Sequence, residues 1–179
     1  MVIWVTGLAG AGKTTVCRYV YDRLKLSMPE LVMLDGDEVR AAFGQDLGYS
    51  EAERVQQVSR VQRIARLLSD QDLVVIVALV YAHPDLLAWN REHIAGYFEV
   101  LLDAPLELVR RRDPKGLYSR AARGETRNLV GHDIPWHRPA SADLVLDVSR
   151  EPPPASLADA IVRALPRLAA HWPVQTTRA

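Results

Sequence analysis

The feature that most restricts this chain is an octapeptide near its start, GLAGAGKT, which runs from Gly7 to Thr14. A β-branched and aromatic run precedes it and a helical pattern follows it, as in a strand–loop–helix unit. The octapeptide matches G-x-x-x-x-G-K-[ST] at every fixed position. In such loops the glycines let backbone N–H groups surround phosphate oxygens, the lysine reaches the β- and γ-phosphates, and the hydroxyl ligates Mg²⁺. The sequence therefore predicts a site for ATP and Mg²⁺.

This loop supplies the predicted nucleotide contacts. The residues expected to bind ATP are Gly7, Gly10, Ala11, Gly12, Lys13, Thr14 and Thr15. Thr14 is also the predicted Mg²⁺ ligand. The helix expected to begin at Thr14 adds the positive end of its dipole to the phosphate site.

Strand and helix patterns alternate along the rest of the chain, which indicates one α/β domain over residues 1–179. We predict a doubly wound parallel sheet of about five strands with helices on both faces and a mobile lid. The predicted strands are Val2–Thr6, Leu31–Leu34, Leu73–Val80, Tyr97–Leu102 and Ala142–Val148. The predicted helices cover residues 14–26, 38–43, a segment after Ser50, 86–94, 105–112 and 156–171.

Local signals mark two of these helices. Ser50 precedes Glu53 by three residues, the spacing of a capping box, and Ser156 is the expected cap of the C-terminal helix. The helix after Ser50 carries apolar residues at spacings of three and four, which predicts a core face. These residues are Val55, Val58, Val61, Ile64, Leu67 and Leu68.

Residues 113–139 lack clear periodicity and carry basic side chains. The basic residues are Lys115, Arg120, Arg123 and Arg127. We predict a mobile lid over an active site, because functional loops combine such composition with weak secondary structure.

The charge and the apolar runs of the chain limit the kinds of partner that it is expected to bind. Lys plus Arg and Asp plus Glu both number 22, so bulk charge favours neither nucleic acid nor a membrane surface. The longest apolar run, Leu73 to Ala82, is too short for a membrane-spanning helix. The first residues lack a basic leader, so we expect a cytoplasmic protein.

The single cysteine, Cys17, has no internal partner for a disulfide and is expected to be buried on the first helix.

Two carboxylates, Asp35 and Asp37, follow the second predicted strand. In parallel sheets ligands bind at the carboxyl ends of strands, so these side chains are expected to face the phosphate loop. A carboxylate there can orient an attacking hydroxyl, although Asp-Gly also favours a simple turn. The chain has no Asn-Lys-x-Asp guanine-recognition motif, and its Leu73–Val80 strand ends on Tyr81 rather than on an acidic residue. A small-molecule kinase is therefore the favoured class.

Several stretches resemble the adenylyl-sulfate kinase family between about Val2 and Leu146. They are GLAGAGKTT, LDGDEVR (residues 34–40), LGYS (47–50), Arg54, VVIVAL (74–79), Arg91-Glu92, FEV (98–100), APL (104–106) and RDPKGLY (112–118). The resemblance implies a P-loop kinase fold, a homodimer, and transfer of the ATP γ-phosphoryl group to the 3′-hydroxyl of adenylyl sulfate.

The resemblance also implies residue roles. Asp37, Lys13 and Lys115 would be catalytic, with Asp37 contacting the acceptor hydroxyl and Lys115 reaching the phosphates from the lid. Arg40 and Arg54 would hold anionic oxygens of the acceptor, and Tyr49 would stack on its base. The complete set of expected acceptor-site residues is Asp35, Asp37, Arg40, Tyr49, Arg54, Gln57, Tyr81, Lys115 and Leu129.

The acceptor pocket departs from the family pattern. Gln57 stands where the family has Asn, Ser59 where it has Arg, and Leu129 where it has a stacking Phe. Residues 80–84, Val-Tyr-Ala-His-Pro, replace Ile-Ser-Pro-Tyr-Arg. Adenylyl sulfate is the first expected acceptor. The alternatives are another nucleotide conjugate such as cytidine diphosphoramidate, on which a related kinase acts, and a non-catalytic ATP-binding regulator.

Three other residues have simpler interpretations. His132 and His137 lack a third ligand at metal spacing, so a zinc site is not expected. Trp136 is expected either to stack on a nucleotide base or to anchor a loop.

Overall fold

A computed structural model describes residues 1–172 as a five-stranded, wholly parallel sheet flanked by helices. The strand order is β2-β3-β1-β4-β5, so the predicted doubly wound parallel sheet is confirmed. The strands are β1 (Val2–Thr6), β2 (Leu31–Asp35), β3 (Val74–Ala78), β4 (Tyr97–Asp103) and β5 (Leu144–Asp147). The helices are α1 (Lys13–Leu24), α2 (Gly36–Ala42), α3 (Glu51–Ser69), α4 (Pro84–His93), α5 (Leu106–Arg112), α6 (Leu117–Ala122), α7 (Pro154–Arg163) and α8 (Pro166–Ala169).

The central strands explain why the sheet is covered on both faces. Every residue of β1 and β3 is buried, including Trp4, and both strands are almost continuously apolar. Such strands need helices above and below them. The helices supply this cover, with α1 packing against α7 and α3 packing against α4. The carboxyl ends of all five strands consequently meet at one edge.

Helix α3 begins with the predicted capping box, in which Ser50 and Glu53 satisfy each other's backbone N–H groups. Its predicted core face is only partly correct. Val58 and Val61 are buried, but Val55 is 36% exposed and Leu67 59%. The buried face instead includes Gln57, Gln62 and Ala65. The two glutamines donate to main-chain carbonyls of Gly36 and Leu86, so the helix is rotated away from the purely apolar stripe.

The predicted C-terminal helix over residues 156–171 is wrong in its bounds. Helix α7 begins at Pro154, with Pro153 and not Ser156 in the capping position, and ends at Arg163. A separate turn, α8, begins at Pro166. Proline lacks an N–H and clashes with the preceding helical turn, so it is tolerated at the first position of a helix and ends a helix that would contain it.

Residues 113–139 contain more regular structure than predicted. Helix α6 lies within them, and Val130 forms a bridge with Ile134. Leu117–Ala122 begins after Gly116, whose φ of 64° lies in the left-handed region. None of the helices in residues 1–172 is both long and apolar enough to cross a membrane.

Candidate active site

The loop between β1 and α1 has the backbone conformation that its glycines permit. Gly7, Gly10 and Gly12 have φ values of 149°, 81° and 97°. A Cβ added to Gly7 would lie 2.6 Å from the carbonyl oxygen of Leu102, so the loop cannot accommodate a side chain there. These positions favour glycine because L-residues rarely adopt positive φ. The loop therefore keeps the close backbone curvature that a phosphate site requires.

Lys13 is the buried cation of this loop, with an exposed fraction of 7%. Its Nζ donates to the carbonyl oxygens of Gly7 and Leu8, each at 2.9 Å. Burial lowers the pKa of Lys13 to about 8, because a charged ammonium loses hydration in this position. An anion placed in the loop would offset that loss.

Thr14 connects the loop to the end of β2. Its Oγ1 donates to Oδ2 of Asp35 at 2.6 Å, and Oδ1 of Asp35 accepts from the backbone N–H of Asp37 at 2.9 Å, capping α2. The structure thus brings the Asp35 carboxylate into contact with the end of the phosphate loop, and the roles of Asp35 and Asp37 stay predictions. A hydroxyl and a carboxylate are oxygen donors of the kind that suits Mg²⁺.

No cluster of three or more His, Cys, Asp or Glu side chains able to hold a metal occurs in the described part of the chain. A Mg²⁺ site does not need such a cluster. In kinase sites Mg²⁺ typically uses one or two protein ligands together with phosphate oxygens and water. Thr14 and Asp35 would provide this protein contribution.

Lys115 reaches Asp37 from the segment between α5 and α6. Its Nζ lies 2.7 Å from Oδ2 of Asp37, and about two-thirds of each side chain is exposed. This hydrogen bond raises the pKa of Lys115, so the amine is charged at neutral pH. The contact brings together two of the three predicted catalytic residues.

Two arginines surround the ring of Tyr49. The guanidinium carbons of Arg40 and Arg54 lie 4.6 and 5.4 Å from the ring centroid. Arg40 donates to the carbonyl oxygens of Leu47 and Gly48. Arg54 donates to the carbonyl oxygens of Tyr49 and Asn128. Both arginines hold loops at the cleft wall, and half of the tyrosine remains exposed.

A single cleft of about 570 Å³ contains almost all of the predicted site. Gly7 alone among the predicted site residues does not line it, since it lies beneath the loop against Leu102. The residues that do line it are Gly10, Ala11, Gly12, Lys13, Thr14, Thr15, Asp35, Asp37, Arg40, Tyr49, Arg54, Gln57, Tyr81, Lys115 and Leu129. Their individual roles remain predictions.

Sequence reasoning missed one part of the cleft wall. Residues 151–154, which carry no predicted role, line the cleft together with Val148, Leu157 and Arg112. Glu151 pairs with Arg111 and Arg112 at 2.7 and 3.1 Å, which fixes this segment against α5. The run of three prolines signals a stiff segment, but no local pattern indicates that it packs beside the phosphate loop.

Two residues with open or simple predictions also lie outside the cleft. Trp136 packs against the hydrophobic core and is not part of the cleft wall, which favours the loop-anchoring alternative. Cys17 is buried, as predicted, at 1% exposure.

A parallel sheet with a phosphate loop after β1 and two carboxylates after β2 defines the class of P-loop kinases. A model of the family described as adenylylsulphate kinase matches residues 1–147. The chain belongs to that family.

Its relatives include kinases for more than one acceptor. The chain is 40% identical over 152 residues to the adenylyl-sulfate kinase of Paraburkholderia xenovorans, covering 84% of this chain and 85% of that one. It is 37% identical over 148 residues to the cytidine diphosphoramidate kinase of Campylobacter jejuni, covering 83% and 86%. It also spans about a quarter of a longer relative, 27% of the bifunctional enzyme NodQ of Azospirillum brasilense, with 38% identity over 172 residues and 93% of this chain covered.

The fold is shared with a solved complex. The structure of the Mycobacterium tuberculosis APS kinase CysC with AMPPNP and APS has a TM-score of 0.79 and 34% identity. The match covers 92% of this chain and 96% of that one.

Proposed function

We propose that this protein transfers the γ-phosphoryl group of ATP to the ribose 3′-hydroxyl of an activated nucleotide, with adenylyl sulfate as the first candidate. The observation that carries the proposal is the position of Asp37. Its carboxylate lies at the carboxyl end of β2, in the same cleft as Lys13 and Thr14. A hydroxyl beside Asp37 would face a triphosphate held by the loop. The family of this chain supports the same reaction.

The side chains divide into a donor group and an acceptor group. Phosphoryl transfer depends chiefly on positioning and on neutralising charge. Lys13 would hold the β- and γ-phosphates, and Thr14 with Asp35 would hold Mg²⁺, which supplies further neutralising charge when bound. Asp37 would take the proton of the 3′-hydroxyl as the new oxygen–phosphorus bond forms and the bond to the departing ADP breaks. Lys115 would stabilise charge on the transferred group.

A second acceptor is favoured by the altered pocket. Stacking contributes about 1–3 kcal/mol per base and a hydrogen bond to a charged group about 1.5–3 kcal/mol. Leu129 stands in place of a stacking ring, and polar contacts of the family pattern are lost at Ser59 and at residues 80–84. Together these changes would weaken the binding of adenylyl sulfate by orders of magnitude. Similarity to a cytidine diphosphoramidate kinase makes that conjugate the alternative. A non-catalytic ATP-binding regulator is the third hypothesis, and the Asp37 and Lys115 side chains in the cleft argue against it.

The experiment is an acceptor panel with ATP and Mg²⁺. ADP release is followed for adenylyl sulfate, cytidine diphosphoramidate and other nucleoside diphosphate conjugates, and phosphorus NMR identifies a new 3′-phosphomonoester. We expect micromolar adenylyl sulfate to be consumed. Turnover of the cytidine compound alone would select the second acceptor. Intact ATP binding with no phosphoryl transfer to any compound would reject the kinase proposal.

Three further properties belong to the same proposal. A homodimer and a cytoplasmic location are proposed from the resemblance to this family. Residues 113–139 would act as a lid, since Lys115 lies in this segment and contacts Asp37. Sedimentation equilibrium tests the dimer, and hydrogen exchange of residues 113–139 with and without nucleotide tests the lid.

A further inference from the structure

One carboxylate with no part in the proposed chemistry forms a hydrogen bond with a residue of the cleft wall. Glu51 is the first residue of α3, and its Oε1 accepts a hydrogen bond of 2.7 Å from the hydroxyl of Tyr81. Tyr81 follows β3 and lines the cleft, although only 2% of it is exposed to solvent. The two residues are thirty apart in sequence, and Glu51 itself does not line the cleft.

This hydrogen bond fixes the direction in which Tyr81 can bond to a ligand. A phenol has one hydrogen to donate, and an ionised carboxylate can only accept. Burial is the larger cause that raises the pKa of Tyr81, and the hydrogen bond to Glu51 raises it further. The phenol therefore keeps its proton at neutral pH. Its one hydrogen therefore points to Glu51. Within residues 1–172 the Tyr81 hydroxyl has no other hydrogen-bond partner, so it offers a ligand only lone pairs.

The neighbours of the pair preserve this polarity. Nε2 of His137 lies 4.0 Å from Oε1 of Glu51, and the His137 ring packs edge-on against His83 with centroids 4.9 Å apart. Neither histidine forms a hydrogen bond with the Tyr81 hydroxyl in the described part of the chain. Arg54, the other nearby charge, directs two of its nitrogens to main-chain carbonyls and not to the phenol.

We propose that Tyr81 accepts a hydrogen bond from an N–H group of the acceptor nucleotide and that Glu51 is the positioning residue that sets this polarity. The inference rests on the proposed kinase function and narrows its acceptor class. An exocyclic amino group of a base or the amide of a phosphoramidate provides the required donor. A phosphate or sulfate oxygen would instead place lone pairs against lone pairs, beside the negative charge of Glu51.

Two pairs of acceptors distinguish the possible sources of the N–H group. Adenylyl sulfate is compared with its purine counterpart, in which a hydrogen replaces the amino group of the base. Cytidine diphosphoramidate is compared with cytidine diphosphate, in which an oxygen replaces the amide. We expect the N–H member of one pair to be favoured about tenfold in kcat/KM, the scale of one hydrogen bond. The pair that shows the preference identifies the end of the acceptor at Tyr81.

Variants separate recognition from a structural role. Tyr81→Phe should make the two members of that pair equivalent. Glu51→Gln should weaken or reverse the preference, because a glutamine amide can donate to the phenol and release the phenolic hydrogen toward the ligand. Glu107→Gln is the matched control, since it also removes an exposed carboxylate from the first turn of a helix, but one that forms no hydrogen bond with a cleft residue in the described part of the chain. It should leave the preference unchanged.

Binding measurements keep this test separate from the kinase proposal. Calorimetry with ADP present gives dissociation constants for all four acceptors even if none is phosphorylated, an outcome that would reject the kinase proposal alone. A preference in binding that Tyr81→Phe abolishes and Glu51→Gln weakens or reverses supports the inference. Three outcomes would overturn the inference. In the first, the affinities are equal within both pairs. In the second, none of the four acceptors binds. In the third, the variants lose affinity equally for both members of the pair while their melting temperature falls.

Discussion

The ammonium of Lys115 and the carboxylate of Asp37 form an ion pair of 2.7 Å across the cleft, although the two residues are 78 positions apart. Because both side chains are largely exposed, the pair contributes at most about 1 kcal/mol to folding. Its location between residues 113–139 and α2 therefore matters for chemistry more than for stability.

Asp37→Asn should lower turnover strongly while leaving ATP affinity and melting temperature nearly unchanged. The amide keeps the shape of the side chain but cannot accept the hydroxyl proton. Glu38→Gln is the matched control, because Glu38 is the next residue and pairs with Arg18 at 2.7 Å. Initial rates and ATP titration calorimetry check the prediction. An equal loss of ATP binding would place Asp37 in the metal site instead.

Lys13→Ala should reduce turnover by at least about a hundredfold, the scale for losing one donor that stabilises the transition state. Lys25→Ala is the control, since its Nζ also donates to two main-chain carbonyls, those of Pro29 and Leu31, but lies outside the cleft. Steady-state rates at saturating ATP measure the effect. A nearly normal rate in Lys13→Ala would contradict the assigned role.

ATP affinity should fall as pH rises above about 8. Phosphate binding needs the charged form of Lys13, whose pKa in the folded protein is about 8, below its usual 10.5. The effect on folding has the opposite direction. Between these two pKa values the unfolded chain binds more protons than the folded one, so the contribution of Lys13 to the free energy of unfolding rises with pH. Calorimetry from pH 7 to 10 on wild type and Lys13→Met separates this effect from other groups. If the ATP affinity of the wild type falls with pH no more steeply than that of Lys13→Met, the prediction is wrong.

Asp35→Asn should raise the Mg²⁺ concentration needed for half-maximal activity by about tenfold or more, as expected for a partner of a metal ligand. The carboxylate orients the Thr14 hydroxyl through the 2.6 Å hydrogen bond. Thr14→Ser keeps a hydroxyl and should retain most of the affinity, whereas Thr14→Val should not. Activity is titrated with Mg²⁺ at fixed ATP. Identical Mg²⁺ curves for Asp35→Asn and wild type would exclude this arrangement.

Tyr49→Ala should raise the KM for the acceptor about tenfold with little change for ATP, while Tyr49→Phe should behave as wild type. Stacking needs the ring and not the hydroxyl. Phe43→Ala provides the control, because the Phe43 ring is similarly exposed and lies 4.2 Å from the guanidinium of Arg60, but is outside the cleft. If both alanine variants raise the acceptor KM alike, the effect belongs to the surface and not to base recognition.

The sequence predicted those features that local rules determine. The glycine loop has fixed spacing, and the rule that ligands bind at strand carboxyl ends placed Asp35 and Asp37 opposite it. Pro166 is also a local signal, because proline ends a helix that would contain it. The break between α7 and α8 therefore follows from the sequence, although the predicted helix over residues 156–171 runs across Pro166.

Other features depend on packing between distant segments. Glu51 bonds to Tyr81 because α3 and the end of β3 meet in the fold, a contact that no local pattern encodes. The rotation of α3 likewise follows from hydrogen bonds of Gln57 and Gln62 to other elements. Apolar spacing alone identified the helix but could not fix which of two overlapping faces would be buried.

The prolines at 152–154 give one part of the cleft wall a particular chemical character. A proline has no backbone N–H, so this stretch of wall has no amide hydrogen to donate to a ligand. Each ring also fixes φ before any ligand arrives. Little conformational entropy is then lost from this part of the protein when a ligand settles against it.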